Sequence, residues 1–272
     1  MKHRIQNPQT MNQCKSIPIA SLQCIVILLT ILGSDLPFVH AESTRAAVAS
    51  NFHNPFSEIV RSFEKQSGHS VQIVAGSTGK LYAQIIHGAP FDLFLSADQQ
   101  RPRLLVDQGK AVAGSLITYA AGRISLWSLK NDIQASEADA VLRIGNFSHL
   151  AIANPKTAPY GLAAMQTLIK MGLWDSIRTR LVQGENIGQT FQFVASQNAE
   201  LGFVSLSQIL DPSNAFDRNN RWDVPETFHD PLRQDVVILN RGAENPATQA
   251  LWKFLKSDTA QDIIKRYGYG LK

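Results

Sequence analysis

The sequence predicts an α/β protein of two lobes, each a mixed, mostly parallel sheet flanked by helices, with a ligand site in the cleft between them. Strand-like and helix-like segments alternate from residue 46 to the C-terminus, the pattern of parallel sheets covered by helices. The strand segments, such as 71–75 (VQIVA) and 201–205 (LGFVS), are short, apolar runs of the kind buried in parallel sheets. Finally, a strand and two helices close the chain after a distinct middle set, so the chain crosses to a second lobe and returns. Ligands in such folds bind at the carboxyl ends of strands, so two facing lobes enclose a cleft.

Residues 46–50 (AAVAS) read as the first strand. Asn54 caps the following helix, with Pro55 at its first position; Phe56, Ile59, Val60 and Phe63 share one face, and Gly68 ends it. The strand 71–75 leads into Ser77 and Thr78, hydroxyls at a helix start whose first-turn N–H groups have no intrahelical acceptor. Leu81, Tyr82, Ile85 and Ile86 recur at helical spacing, Gly88 lets the chain leave the helix, and Pro90 prevents continuation. Residues 91–95 (FDLFL) return as a strand, and 98–109 form a helix with Leu104 and Leu105 inward. Two short strands occupy 115–127 around Ala121 and Gly122, and a polar loop follows at 130–139. The second set comprises a strand at 150–153, helices at 160–171, 174–181 and 189–196, a strand at 201–205 and a polar loop at 214–223. A strand at 235–239 (DVVIL) then leads to two helices, one capped by Asn245 and Pro246 and one by Ser257. The expected domains are residues 42–124 with 233–272 as lobe 1, and 125–232 as lobe 2.

Residues 1–41 are read as a secretory signal peptide, not part of the fold. Lys2, Arg4 and Lys15 precede an apolar run at 17–32, and small residues stand before a cut after Ala41; Met11 is an alternative start. The apolar run is shorter than the ~20 residues a membrane span needs, and Gln23 stands where a lipidated Cys24 would be preceded by a small residue. Both cysteines, Cys14 and Cys24, lie in this segment, which excludes cysteine catalysis, thiolate metal sites and disulfides from the remainder. Three of the 26 Lys and Arg and one of the 22 Asp and Glu lie there too, so the formal charge of +4 falls to +2 after the cut. That is a mildly positive surface without a Lys/Arg run, and no nucleic-acid footprint.

Two hydroxyls at the positive end of a helix, placed where a parallel strand ends, make a site for an anion. Read alone, without the other motifs, Ser77 and Thr78 are better explained as plain helix caps. The run GSTGK lacks the spacer of a nucleotide phosphate loop and any hydroxyl after Lys80, and Lys80 itself reads as a solvated side chain. His53, His69, His87, His149 and His229 show no metal-ligand spacing and are expected on the surface. Asp92, Asp98 and Glu185 are placed near the cleft without forming a catalytic carboxylate pair.

Five ordered motifs carry a resemblance: ASNFHNP at 49–55, GSTGKLYAQIIHGAPFDLFLSAD at 76–98, NPKTAPYGLAA at 154–164, GENIGQTFQFV at 184–194 and AELGFVSLSQ at 199–208. Together they resemble the periplasmic molybdate-binding proteins of ABC importers, over nearly all of the chain after residue 41. The resemblance implies a two-lobed type II periplasmic binding-protein fold that closes on a tetrahedral oxyanion. It implies ligand contacts at Asn51 with Ser50 beside it, Thr78 with Ser77 beside it, Tyr160, Ile187 through its backbone N–H, and Ser205. One branch of the family carries Ser at the position of Asn51, a small apolar residue at that of Tyr160 and Tyr at that of Ser205; here Tyr160 would supply the phenol instead. All these groups are neutral donors, able to hold a dianion by short charge-assisted bonds.

The expected function is therefore capture of molybdate, and of tungstate, for an inner-membrane ABC permease, by a monomeric periplasmic protein. It would be no enzyme and need no cofactor, with molybdenum entering only as the oxyanion. The alternatives are another oxyanion such as sulfate or phosphate, or ferric iron, which usually wants adjacent tyrosines that this chain lacks. An exported hydrolase using Ser77 or Ser205 is the rival from another class; it lacks a Gly-x-Ser-x-Gly elbow.

Overall fold

A computed structural model describes Met1 and residues 41–130 and 138–271. The expected signal segment, with Met11, Cys14 and Cys24, lies outside the described residues, as does most of the 130–139 loop.

Apolar β-branched runs and amphipathic helices build two five-stranded sheets of the same design. In the first, strands β1 (Ser43–Ala49), β2 (Ser70–Gly76), β3 (Leu93–Leu95), β4 (Ile117–Gly122) and β10 (Leu232–Ile238) lie in the order β2-β1-β3-β10-β4. β1 pairs in parallel with β2, Ser43 facing Ser70 through Ala49 facing Gly76, and with β3; β10 is antiparallel to both β3 and β4. Four strands thus run one way and one runs against them. The second sheet repeats this with β5 (Ile124–Trp127), β6 (Leu150–Ala153), β7 (Leu181–Gly184), β8 (Leu201–Ser205) and β9 (Arg221–Asp223), in the order β7-β6-β8-β5-β9. Here β5 is the strand that opposes the rest. In each sheet the opposing strand is the one by which the chain has just crossed from the other. The two crossings are Arg123 alone, between β4 and β5, and residues 224–231, between β9 and β10.

Both faces of each sheet are covered. Phe52, Phe56, Ile59 and Phe63 pack on one face of the first sheet and Leu81, Phe94 and Leu105 on the other. Leu150, Ile152 and Leu168 cover one face of the second, and Trp127, Phe191 and Val204 the other, Trp127 stacking on Phe191 at 5.0 Å. Gly68, Gly88 and Gly109 each leave a helix with positive φ, which a side chain would resist.

Several local expectations change. The helix α1 (His53–Ser67) starts after a 3-10 turn, Ser50–Phe52, and Phe52, not Asn54, is its N-cap residue. Asn54 instead donates to Asp211 at 2.5 Å, across to the second sheet's side of the molecule. β2 is parallel, but it is an edge strand with no buried residue, so its apolar run half-faces solvent. Leu105 is buried while Leu104 is 36 % exposed, the two being neighbours on α3 (Gln100–Asp107), which turns only one of them to the core. His69 is not on the surface: it is buried, accepts from the Glu42 N–H at 3.1 Å and stacks on Phe63. Short strands β7 and β9 occupy segments that read as helix and loop, since three or four residues give too little pattern to reveal a strand.

Candidate functional site

The site grows from three strand ends. After β1 the chain enters the turn at Ser50 and Asn51; after β2 it enters α2 (Thr78–Ile86) with Ser77 as N-cap residue; after β7 it enters α7 (Ile187–Ala195), capped by the Asn186 side chain, which accepts from the Gln189 N–H at 3.0 Å. A fourth start, α5 (Pro159–Lys170), follows β6 with Pro159 in its first turn, where no N–H is missed. Helix starts expose N–H groups that have no intrahelical acceptor and carry the positive end of the helix dipole. Here all four converge.

The converging residues enclose a cavity of ≈ 10 Å³ lined by Ser50, Asn51, Ser77, Thr78, Tyr160 and Ile187, together with backbone and small side chains around them. No lining residue carries a formal charge. Asn51, Ser77, Thr78, Tyr160 and Ile187 are 3 %, 2 %, 1 %, 1 % and 3 % exposed, so water competes little for their donors. Lys80 pairs with Glu185, 2.6 Å apart and half exposed, joining α2 to the loop before α7. Among the described residues no cluster of acidic or histidine side chains could hold a metal cation.

The hydrogen bonds decide what each group offers. Ser77 Oγ is buried and has no partner, an arrangement that costs about 1–3 kcal/mol unless something fills it. Thr78 Oγ1 accepts from the Ala97 N–H at 3.1 Å, which leaves its own proton for the cavity. Ser50 Oγ accepts from the Gly188 N–H at 3.4 Å in the same manner. Tyr160 Oη accepts from Gln234 Nε2 at 3.0 Å. Burial, and secondly the neighbouring Tyr269, push the Tyr160 phenol well above its ordinary value, so it stays a protonated donor. Ile187 presents its first-turn N–H, and its backbone oxygen accepts from Gln208 Nε2 at 3.1 Å.

Two expected contacts behave differently. Asn51 lies in the cluster, but its side-chain amide donates to Gln234 Oε1 and to Tyr269 Oη, each at 2.9 Å, so both its protons are in use and only the backbone N–H faces a ligand. Ser205 does not line the cavity. Its hydroxyl is fully buried 2.9 Å from Gln208 Oε1 and 3.0 Å from Ser207 Oγ, holding the start of α8 (Leu206–Ile209). Asp92 lies at the opposite end of the first sheet, where it binds the Arg45 N–H at 2.8 Å and the Arg241 guanidinium.

Gln234, Tyr269 and Tyr119 surround the site without having been singled out in the sequence. Gln234 is fully buried in β10, with Tyr119 donating to its Oε1 at 3.0 Å. No local signal marks it, since in β10 Gln234 stands between the polar Arg233 and Asp235. Gly122 makes room for this network: a Cβ there would stand 2.0 Å from Tyr160 Oη and 2.5 Å from Gln234 Nε2.

A neutral, dry, donor-lined cavity at converging helix N-termini suits a small multivalent anion with several oxygen acceptors. Comparison with known proteins points the same way. A family model described as bacterial extracellular solute-binding protein matches residues 44–270. The chain is similar to the molybdate-binding protein ModA of Azotobacter vinelandii, 47 % identical over 247 residues, covering 90 % of this chain and 97 % of that protein. It is 41 % identical to the molybdate-binding protein ModA of Rhodobacter capsulatus, over 89 % of this chain and 93 % of that one. Among solved structures, the periplasmic molybdate-binding protein of Azotobacter vinelandii superposes with a TM-score of 0.80 at 38 % identity, covering 84 % of this chain and 99 % of that one.

Proposed function

Because the chain belongs to the bacterial extracellular solute-binding proteins, in the group of periplasmic molybdate-binding members, we propose that it captures molybdate, and tungstate with it, for delivery to an inner-membrane ABC permease. It is a binding protein, not an enzyme, and molybdenum is its cargo. The observation that carries this reading is the buried Ser77 hydroxyl without a partner, in the wall of a cavity that no charged residue lines. A tetrahedral dianion would satisfy Ser77 and accept in addition from Ser50, Thr78, Tyr160 and the N–H groups of Asn51 and Ile187. Ser205 would act from behind, by fixing Gln208 and through it the Ile187 peptide.

We assign residues 42–124 with 233–272 to one lobe and 125–232 to the other, so that Ser50, Asn51, Ser77 and Thr78 grip from the first and Tyr160 and Ile187 from the second. Processing after Ala41, residence in the periplasm and action as a monomer belong to the same proposal. Among the described residues no helix is long and apolar enough to cross a membrane.

Sulfate has the charge and shape of molybdate and differs in size, so rigid donor spacing is what would separate them. Calorimetric titration of the protein with molybdate, tungstate, sulfate and phosphate tests the reading. One molybdate or tungstate per chain is expected, and no sulfate at matched concentration. Thermal melting should show the same preference, since an anion at 100 times its dissociation constant adds about 2.7 kcal/mol. Equal response to sulfate would defeat the reading.

A further inference from the structure

Gln234 does not itself line the cavity, yet its amide, bonded to two residues that do, settles which way the Tyr160 hydroxyl faces. A backbone carbonyl can only accept. Tyr269 Oη lies 2.8 Å from the Asn51 carbonyl oxygen and 3.0 Å from Ser207 Oγ, and its single proton goes to that side. The Tyr269 oxygen must therefore accept from Asn51 Nδ2, which fixes the Asn51 amide with its nitrogen toward Tyr269 and Gln234. The second Asn51 proton then needs an acceptor, so Gln234 turns Oε1 toward it at 2.9 Å; Tyr119 Oη, whose one proton is shared between the Ser96 carbonyl and Gln234 Oε1 at 3.0 Å each, lies beside it. Gln234 Nε2 is left facing Tyr160 Oη at 3.0 Å as a donor. Turned the other way, the Gln234 amide would meet Asn51 donor to donor and would take the Tyr160 proton for itself.

We infer that Gln234 is a positioning residue for the anion: by donating to Tyr160 Oη it denies the phenolic proton an acceptor on its own amide and so leaves that proton for the cavity. This rests on the reading of the cavity as an oxyanion site. The relay also crosses the cleft, since Asn51, Tyr119 and Gln234 lie on the first sheet's side while Tyr160 opens α5 beside the second. Asn51, Tyr119, Gln234 and Tyr269 are all buried, Gln234 completely, so water does not compete for these bonds.

The test is a double-mutant cycle read by calorimetry with molybdate, tungstate, sulfate and phosphate as probes. Gln234→Met removes the amide at similar volume and without adding charge. With Tyr160 present it should weaken the preferred anion about 10-fold, the scale of one oriented hydrogen bond. In a Tyr160→Phe background it should change affinity less than about 2-fold, because the hydroxyl it positions is gone. Equal losses in both backgrounds would make Gln234 a packing residue only and overturn the inference.

Gln234→Glu supplies a second readout if the methionine variant folds poorly. As a carboxylate it accepts from Tyr160 and captures the proton; as a carboxylic acid it can donate again. Burial raises such a carboxyl's titration toward neutrality, so affinity should be lost at pH 8 and recover on acidification. The recovery should be larger with Tyr160 present than with Tyr160→Phe, the latter giving the effect of charge alone. Identical pH profiles would overturn the relay while leaving the oxyanion site intact. If the wild type binds none of the four anions, the parent reading fails and the relay with it.

Discussion

Ser77 holds a hydroxyl in a place where the ligand-free fold gains nothing from it. Replacing it with alanine should therefore raise ligand-free stability in urea by about 1 kcal/mol, while weakening molybdate binding about 10- to 100-fold. A loss of stability would mean that Ser77 has a partner within the fold. Thr78→Val should weaken binding by about 1.5–3 kcal/mol, the worth of a hydrogen bond to a charged group, and it also strands the Ala97 N–H. Lys80→Ala breaks only a half-exposed ion pair and should change binding by less than about 1 kcal/mol, and by less still in high salt. A larger effect of Lys80, persisting in salt, would show a site built around a cation. The buried phenols set the alkaline limit. Tyr119, Tyr160 and Tyr269 are all raised above the ordinary tyrosine value, first of all by burial. Above pH 10 the unfolded chain loses these protons while the folded chain keeps them, so stability present below pH 10 falls as pH rises through the folded-state values. Each tyrosine contributes up to about 1.4 kcal/mol per pH unit. Tyr160→Phe should make the decline of the urea midpoint between pH 10 and 12 measurably shallower. The residues at the cavity wall were legible because each stands at a strand end or helix start, where local sequence already aims donors outward. Gln234 and Tyr269 were not, because their partners are 74 and 218 residues away in the chain and nothing local marks them.

At the scale of elements, the short link Arg123 between β4 and β5 and the run into β10 are the only covalent ties that the lobe assignment leaves between its halves. Gly122 stands at the mouth of the first, with Tyr160 Oη and Gln234 Nε2 against its α-carbon. Gly122→Ala should push these two side-chain ends apart and lower molybdate affinity by a factor similar to Tyr160→Phe, with no further loss when both changes are combined. Additive losses, read by calorimetry, would indicate that the alanine acts on the strand and not on the phenol. The alternation of strands and helices, the helix stops at Gly68 and Gly88 and the caps at Asn245 and Ser257 follow from sequence chemistry and reappear in the fold. Others depended on context: β2 reads as a buried strand because its residues are apolar, and only its place at the sheet edge decides that it is half exposed. Similarly, β7 and β9 exist because neighbouring strands offer them hydrogen bonds, a tertiary effect that overrides weak local preference.

For the whole molecule, the two sheets meet through contacts that need no anion: the Gly79 N–H donates to Thr157 O at 2.8 Å, Lys80 pairs with Glu185, and Asn54 reaches Asp211. An anion gripped from both sides favours this arrangement over any in which the halves part. Small-angle scattering should show a smaller radius of gyration at saturating molybdate than without it; an unchanged radius, even in the wild type, would reject the clamp. Glycine at position 79 is part of the fit, since a Cβ there would lie 3.0 Å from the Thr157 backbone, so Gly79→Ala should reduce the compaction and the affinity together. The depth of the pocket has a kinetic corollary. With Asn51, Ser77, Thr78, Tyr160 and Ile187 at most 3 % exposed, an ion gripped by them should leave through a movement of the polypeptide, and the dissociation rate then has a ceiling set by how often the halves separate. That ceiling is a property of the protein and is shared by every cargo. Two oxyanions of different affinity would then enter at similar rates and differ in dwell time, by how long each keeps the jaws shut.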